Sequence, residues 1–442
     1  MKKFVEKFIK NHIKTPKDML WLLPGLQVKR WFALIFFGTS AIIIGVLILM
    51  NLRPVYFLMT LLIKLFQNFS SEIIGFVCIL IGVFLFIKGW IYANYSLLGA
   101  SDSRKRHELL ESVYRRRMLN RGPKIVAIGG GTGLSTLLKG LKNLTNNITA
   151  VVTVGDDGGS SGRLRHELGV LPPGDIRNCI AALADDEDLV TKLFQYRFKT
   201  GEGLEGHSFG NLFLSALCSI TGDMVNAVME SSKVLSIRGR VLPSTLDDMK
   251  LVAKMDTGEI VCGESNIPEA KGKIEKIYTD PINCRALKDV LLAIEDAELI
   301  ILGPGSLYTS VIPNLLIKDI SLALAKSKAK KIYICNIMTQ PGETDGFSVS
   351  DHIKTINEHA DVNKNLIDAV LVNDTLNEAL VEDYKKVNSY PVNLDVENVK
   401  SMNIEVVKRK LLEDNTTTLV RHSPKRLARA IYYWYKKSLK SD

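Results

Sequence analysis

Lys124-Ile-Val-Ala-Ile-Gly129-Gly-Gly131-Thr-Gly133-Leu-Ser-Thr-Leu-Leu-Lys-Gly140 is the stretch whose reading decides the fold. An apolar, strand-like run enters a glycine-rich turn, and a helix-like segment leaves it. Glycine belongs where the backbone takes a positive φ or passes close to a ligand. The first amides of a helix have no partner within it and stand at the positive end of its dipole, so they suit an anion. The stretch reads as a phosphate-binding turn, with Gly129, Gly130, Gly131, Thr132 and Gly133 as candidate ligand contacts.

Downstream, Ile148–Val154 is a second continuous apolar run, which suits a strand buried on both faces. With the helix-like 134–144 between the two runs, this is a β-α-β unit and implies a parallel sheet. The second run ends in Gly155-Asp156-Asp157-Gly158-Gly159-Ser160-Ser161-Gly162-Arg163. Asp156 stands 25 residues after Gly131, a spacing compatible with the acid that holds a ribose hydroxyl in dinucleotide folds. Two acids followed by glycines, serines and an arginine do not suit a nicotinamide enzyme. Ser160, Arg163 and the loop amides can bind an anion, and Asp156 and Asp157 are candidate Mg²⁺ ligands and catalytic groups. A solvated, turn-forming loop is the plain alternative.

Three further segments carry chemistry. Pro172-Pro173-Gly174-Asp175 feeds an apolar helix; Asp175 is placed to cap it, Arg177 and Asn178 lie in its first turn facing the sheet's carboxyl edge, and Asp175 and Asn178 are candidate ligand contacts. Gly206-His207-Ser208-Phe209-Gly210-Asn211 leads into another helix. No G-x-S-x-G elbow accompanies the histidine, so His207, Ser208 and Asn211 read as hydrogen-bonding ligand contacts and not as a nucleophilic triad. After a β-rich excursion over 234–280, the strand Leu299–Leu302 opens on Gly303-Pro304-Gly305-Ser306. That is a second glycine turn, with Gly303, Gly305 and Ser306 as contacts on the same crevice. Further strands are expected at Lys331–Asn336 and Leu366–Val372. A last helix, Lys425–Leu439, starts after Ser423-Pro424 and is expected to pack on the domain.

Charge divides the chain. Residues 1–121 hold 18 Lys/Arg against 6 Asp/Glu, a net +12, whereas the remaining 321 hold 39 against 41, a net −2. A near-neutral main domain argues against a nucleic-acid partner. The basic excess instead flanks two apolar runs. Trp31–Leu52 is 22 residues without a charge, enough for a span, and a second span is expected over about 73–95. The Lys/Arg flanks place both termini and the main domain on the cytoplasmic side. Between the spans, 55–69 is expected to lie as a short helix in the outer interface, and 98–123 forms a basic juxtamembrane linker. Six cysteines without C-x-x-C spacing read as buried free thiols.

The Gly129–Gly133 turn, the Asp156–Arg163 loop, Pro172-Pro-Gly-Asp-Ile-Arg-Asn178, His207-Ser-Phe-Gly-Asn211 and Gly303–Ser310 together resemble the gluconeogenesis-factor family, relatives of the 2-phospho-L-lactate transferases. The likeness covers roughly 124–440, with Gly155 standing where the pattern has alanine. It implies an α/β, Rossmann-like parallel sheet with helices on both faces and a small β-rich excursion, here preceded by two transmembrane helices. It also implies binding of a UDP-sugar, with UDP-N-acetylglucosamine the expected one, and a role in cell shape and wall synthesis on gluconeogenic carbon. Implied partners are the lipid bilayer, cell-wall or morphogenesis proteins and further copies of the chain. The expected activity is that of a membrane-tethered, non-catalytic regulator. The alternative is a transferase acting on a nucleotide-activated phospho-acid, with Mg²⁺ as its cofactor; a nicotinamide oxidoreductase is the weakest option.

Overall fold

Ile125–Gly129 is buried at every position, and the reason is visible in its partners: a neighbouring strand lies parallel on each side and helices flank the sheet. The computed structural model describes residues 28–65, 70–97, 117–185, 187–270, 272–375, 378–412 and 420–440. The strands among them are β1 (Ile125–Gly129), β2 (Ile148–Val152), β3 (Arg240–Pro243), β4 (Lys250–Met255), β5 (Ile260–Cys262), β6 (Ile274–Asp280), β7 (Leu299–Leu302), β8 (Lys330–Ile334), β9 (Ala369–Asn373) and β10 (Glu405–Arg409). The main sheet has seven strands in the order β10-β9-β8-β7-β1-β2-β3, and every pairing in it is parallel. The chain winds outward from β1 to β3, then returns beside β1 and winds out the other way. The order therefore reverses between β1 and β7, and a ligand crevice forms at such a switch point. Both glycine turns leave the sheet there.

The excursion forms a separate antiparallel sheet, β5-β4-β6. One tie to the main body is His359, whose Nε2 accepts the Ile277 amide at 3.2 Å while its Nδ1 pairs with the Thr355 carbonyl oxygen at 2.8 Å.

The chain divides into two compact units at Met118–Leu119. The first contains the helices α1 (Val28–Leu49), α2 (Arg53–Leu65) and α3 (Ser71–Leu97). Their described side chains are largely apolar and exposed, as at Phe37, Leu49, Phe57 and Phe86. The run expected to continue to Leu52 ends as a helix at Leu49, because Asn51 and Leu52 take φ of 48° and 60° and turn the chain. Among the described residues no single helix is long and apolar enough to cross a membrane; Phe36–Leu49 passes that test only jointly with Arg53–Leu61, across a 93° bend. Of the expected linker over 98–123, residues 98–116 lie outside the described residues.

In the second unit the helices used below are α4 (Gly131–Leu141), α5 (Gly159–Leu168), α6 (Gly174–Leu183), α7 (Phe209–Thr221), α8 (Val349–Ala360) and α9 (Pro424–Ser438). In α4, Leu134, Leu137, Leu138 and Leu141 recur at helical spacing and are all buried. The last helix packs on the domain as expected, burying Leu427, Ile431, Trp434 and Tyr435. Its start lies against α4: a side-chain carbon at Gly140 would stand 2.1 Å from the Pro424 carbonyl oxygen. Of the free thiols, Cys179, Cys284 and Cys335 are buried, but Cys262 is exposed at the end of β5, where alternate residues face solvent.

Candidate ligand-binding site

The first turn is shaped by contacts that only glycine permits. A side-chain carbon at Gly130 would lie 2.5 Å from Asp175 Oδ2, and one at Gly133 would lie 2.4 Å from the Pro304 carbonyl oxygen. Gly131 takes φ +63°. The cap residue of α4 is Gly130, which has no side chain to satisfy the helix's leading amides. Of these, the amides of Thr132 and Gly133 remain available to an anion.

Asp175 does not cap its own helix. The cap position of α6 is Pro173, and the Asp175 carboxyl reaches across the crevice to accept the Gly131 amide. Burial, and then the nearby Asp156, push its pKa up to about 6.

The second turn mirrors the first. Gly303 takes φ +76° and is joined to Pro304 by a cis bond. Ser306 caps the following turn by accepting the Thr309 amide at 3.3 Å, and its hydroxyl donates to Glu343. Burial raises the pKa of Glu343 despite that hydrogen bond.

On the β2 side lies a group of carboxylates. Asp156 Oδ1 accepts the Gly158 amide at 3.0 Å, and Asp157 Oδ1 accepts the Ser265 amide at 2.9 Å. The second bond draws the small sheet over the loop and sets Glu264 beside the acids. Glu264 Oε2 is buried without a hydrogen-bond partner. Burial and the charges of Asp156, Asp175, Asp157 and Glu343 raise its pKa well above the carboxylate range. Among the described residues no group of three or more His, Cys, Asp or Glu is arranged to hold a metal ion. One oxygen each of Asp156 and Asp157 is already engaged in holding the loop.

Behind that loop is a buried polar network. Arg177, 8% exposed, donates to Ser208 Oγ, Asn211 Oδ1 and Asn178 Oδ1. Because arginine only donates, it fixes the Asn211 amide, whose Nδ2 then donates to Ser160 Oγ at 3.1 Å and Ser161 Oγ at 3.4 Å. Ser160 Oγ also lies 3.0 Å from His207 Nδ1. Burial, then the Arg163 charge, lowers the His207 pKa. Arg163 itself is exposed and donates to the Glu205 carbonyl oxygen at 2.8 Å. The network ties α5, α6 and α7 together under the crevice.

A cavity of about 420 Å³ opens on the other side of the switch point. Thr132, Gly133, Gly305 and Ser306 line one end, as the two turns predict. Ser160, His207, Ser208 and Asn211 are absent from its lining; they support the loop from below. The remaining walls were not expected from the sequence. They are the loop Asn336–Pro341 after β8, then Tyr384, Val387 and Ser389, and finally Val420, Arg421 and His422 just before α9. Tyr384 Oη accepts the Val420 amide at 2.9 Å and so holds these last two walls together. Asn336 Nδ2 donates to Gln340 Oε1 at 3.1 Å, which leaves an acceptor and a donor on the pair. Burial pushes the His422 pKa down to about 4, so the ring is neutral, and its Nε2 has no partner. A polar loop following a parallel strand was the available signal for Asn336–Gln340. Nothing in the local sequence marks Arg421 and His422.

The chain resembles known proteins over most of its length. The 2-phospho-L-lactate transferase CofD family matches residues 125–412. A gluconeogenesis factor from Bacillus subtilis is 48% identical over 307 residues, which cover 69% of this chain and 96% of that protein. A relative from Nostoc sp. is 50% identical over 424 residues, 94% of this chain and 92% of its own length, so the similarity takes in most of the N-terminal unit as well. A crystal structure of a Bacillus halodurans protein, 44% identical, superposes with a TM-score of 0.68 over 71% of this chain and all of its own.

Proposed function

This chain belongs to the gluconeogenesis-factor branch of the 2-phospho-L-lactate transferase CofD family, and from that premise we propose that its crevice binds a UDP-sugar, UDP-N-acetylglucosamine first among them. The observation that carries the reading is the cavity of about 420 Å³ that starts at the N-terminal end of α4, where Thr132 and Gly133 line it. In this reading the leading amides of α4 and the Gly303–Ser306 turn hold the diphosphate. The nucleoside lies between the Asn336–Pro341 loop and the Tyr384–His422 wall, and the sugar points toward Asp156 and Asp175. Titration calorimetry of the full chain tests it. No heat with any UDP-sugar at millimolar concentration removes the proposal.

The role that goes with this binding is regulatory: a non-catalytic sensor of a wall precursor, needed for cell shape and wall synthesis during gluconeogenic growth. The name of the Bacillus subtilis relative supports the metabolic part. A deletion strain with normal shape on gluconeogenic carbon would refute it. The N-terminal unit is assigned to the bilayer, with both ends cytoplasmic, on its exposed apolar side chains and basic flanks. Release of the full chain from membranes by alkaline carbonate would count against that assignment. Self-assembly is part of the same proposal, and sedimentation of the purified chain measures it.

A second reading is favoured by one observation. A side-chain carbon at Gly174 would lie 3.0 Å from Asp156 Oδ2, so Asp156 closely adjoins the start of the helix that carries Asp175. Mg²⁺ commonly takes one or two carboxylates and completes its shell with water and phosphate, so Asp156 and Asp175 fit it. Bound there, the ion would neutralise charge on the diphosphate bridge and on the nucleoside monophosphate that leaves when the phospho-acid passes to an acceptor hydroxyl, as a transferase acting on a nucleotide-activated phospho-acid requires. Asp175 would then hold the Gly131 turn and the ion at once. Tight binding without turnover over hours excludes this second reading.

A further inference from the structure

The carboxylates on the β2 side of the crevice have a consequence for the ligand. Asp175 is bonded to the Gly131 amide, so this group of acids begins where the diphosphate turn ends. Asp156 and Asp157 lie in the loop after β2. Glu264 completes the group from the 3₁₀ turn Glu264–Glu269 that follows β5, held there by the bond between the adjacent Ser265 amide and Asp157. Its Oε2 is buried 3.4 Å from where a Gly155 side-chain carbon would be, behind the loop that carries Asp156 and Asp157, and has no hydrogen-bond partner among the described residues. A buried oxygen left unpaired is costly, and such a group gains most from a ligand that pairs it. The charges that act on it among the described residues are those of Asp156, Asp175, Asp157 and Glu343, all acidic; Arg163 is engaged with the Glu205 carbonyl oxygen, and Arg177, whose charge acts on Asp175 and Asp156, donates to Ser208, Asn211 and Asn178.

We propose that Glu264 selects an uncharged, hydroxylated group on the far side of the diphosphate, and that the acids around it reject a ligand bearing a carboxylate there. The inference rests on the nucleotide reading given above and narrows its substrate class. A carboxyl group both donates to and accepts from sugar hydroxyls or an acetamido group. A ligand carboxylate placed among Asp156, Asp157 and Asp175 would meet like charges in a partly desolvated site, where repulsion is strong. The same argument disfavours a phospho-acid bound without a counter-ion.

The test uses the full chain, without added divalent metal, and three ligands: UDP, UDP-glucose and UDP-glucuronate. The last two differ only in the oxidation of one hydroxymethyl group to a carboxylate. The expected result is that UDP-glucose binds at least about tenfold tighter than UDP-glucuronate. In Glu264→Ala, UDP-glucose should weaken about tenfold while UDP is unchanged; Glu264→Gln, which keeps a donor and an acceptor, should retain most of the affinity. Equal affinity for UDP-glucose and UDP-glucuronate in the wild-type chain overturns the inference without using any variant. Parallel losses for UDP and UDP-glucose in a Glu264→Ala chain that melts like wild type overturn it as well. Both outcomes leave the nucleotide reading intact. A wild-type chain that binds none of the three ligands removes that reading and this inference together.

Discussion

Gly133 and Pro304 touch across the switch point: a side-chain carbon at Gly133 would stand 2.4 Å from the Pro304 carbonyl oxygen. One residue belongs to the turn after β1 and the other to the turn after β7, so the two turns form one continuous edge of the crevice.

Gly133→Ala tests that edge. Inside an exposed helix the change would stabilise by about 1 kcal/mol. Here the added carbon meets backbone, which no rotamer change relieves, so overpacking costs about 1–3 kcal/mol and wins. The expected outcome is a lower melting temperature and loss of UDP binding, read by thermal unfolding and calorimetry.

Gly140→Ala probes the other end of α4. A side-chain carbon there would lie 2.1 Å from the Pro424 carbonyl oxygen and 2.8 Å from Ala428 Cβ. The helix α9 must move away, taking the Val420–His422 wall with it. Stability should fall by about 1–3 kcal/mol, and ligand affinity should fall too although Gly140 lies outside the cavity.

The raised pKa of Asp175 fixes the sign of a pH dependence. In the folded chain its pKa is about 6 against an ordinary 3.8, so folding binds a proton between those values. Its stability contribution is complete below about pH 4 and is lost as pH rises through 6, by up to about 3 kcal/mol. Asp175→Asn, which still accepts the Gly131 amide, should be more stable than wild type at pH 7.5, with the gap closing toward pH 4. Denaturant midpoints across that range measure it.

His359 has the opposite sign. It accepts the Ile277 amide through Nε2 and, through Nδ1, must donate to the Thr355 carbonyl oxygen, so the folded chain holds it neutral. Burial is the main cause of its lowered pKa, with Lys276 adding to it and the Thr355 bond and Glu358 opposing. Its contribution is present above the unfolded value near 6.5 and is lost as pH falls through the folded one. Acidification should therefore raise hydrogen exchange in β6 before the main sheet responds, and exchange in β6 that tracks β1 would refute it.

Much of this was readable in advance for a definite reason. The runs Ile125–Ile128, Ile148–Val152 and Leu299–Leu302 lack charged residues, and Thr149 is their one polar residue, because a central parallel strand is buried on both faces, so composition alone reports their place. Glycine turns directly after such strands are local too. The cavity was only half legible. Its end at Thr132, Gly133, Gly305 and Ser306 follows from the turns, whereas His422 belongs to the wall through the packing of α9 on α4. Asp175 was read as a helix cap from its neighbours, and it instead bonds to Gly131, some forty positions earlier in the chain.

The sequence by itself therefore determined the parallel α/β architecture, the two glycine turns and the family. Each rests on periodicity and backbone chemistry that nearby residues decide. Tertiary structure alone decided that the cavity lies toward β8, that Glu264 comes from the turn after β5 to join Asp156, and that Ser160, His207 and Asn211 brace the loop from below. Those outcomes depend on which distant segments meet when the strand order reverses at β1 and β7, and contacts of that kind leave no local trace in the chain.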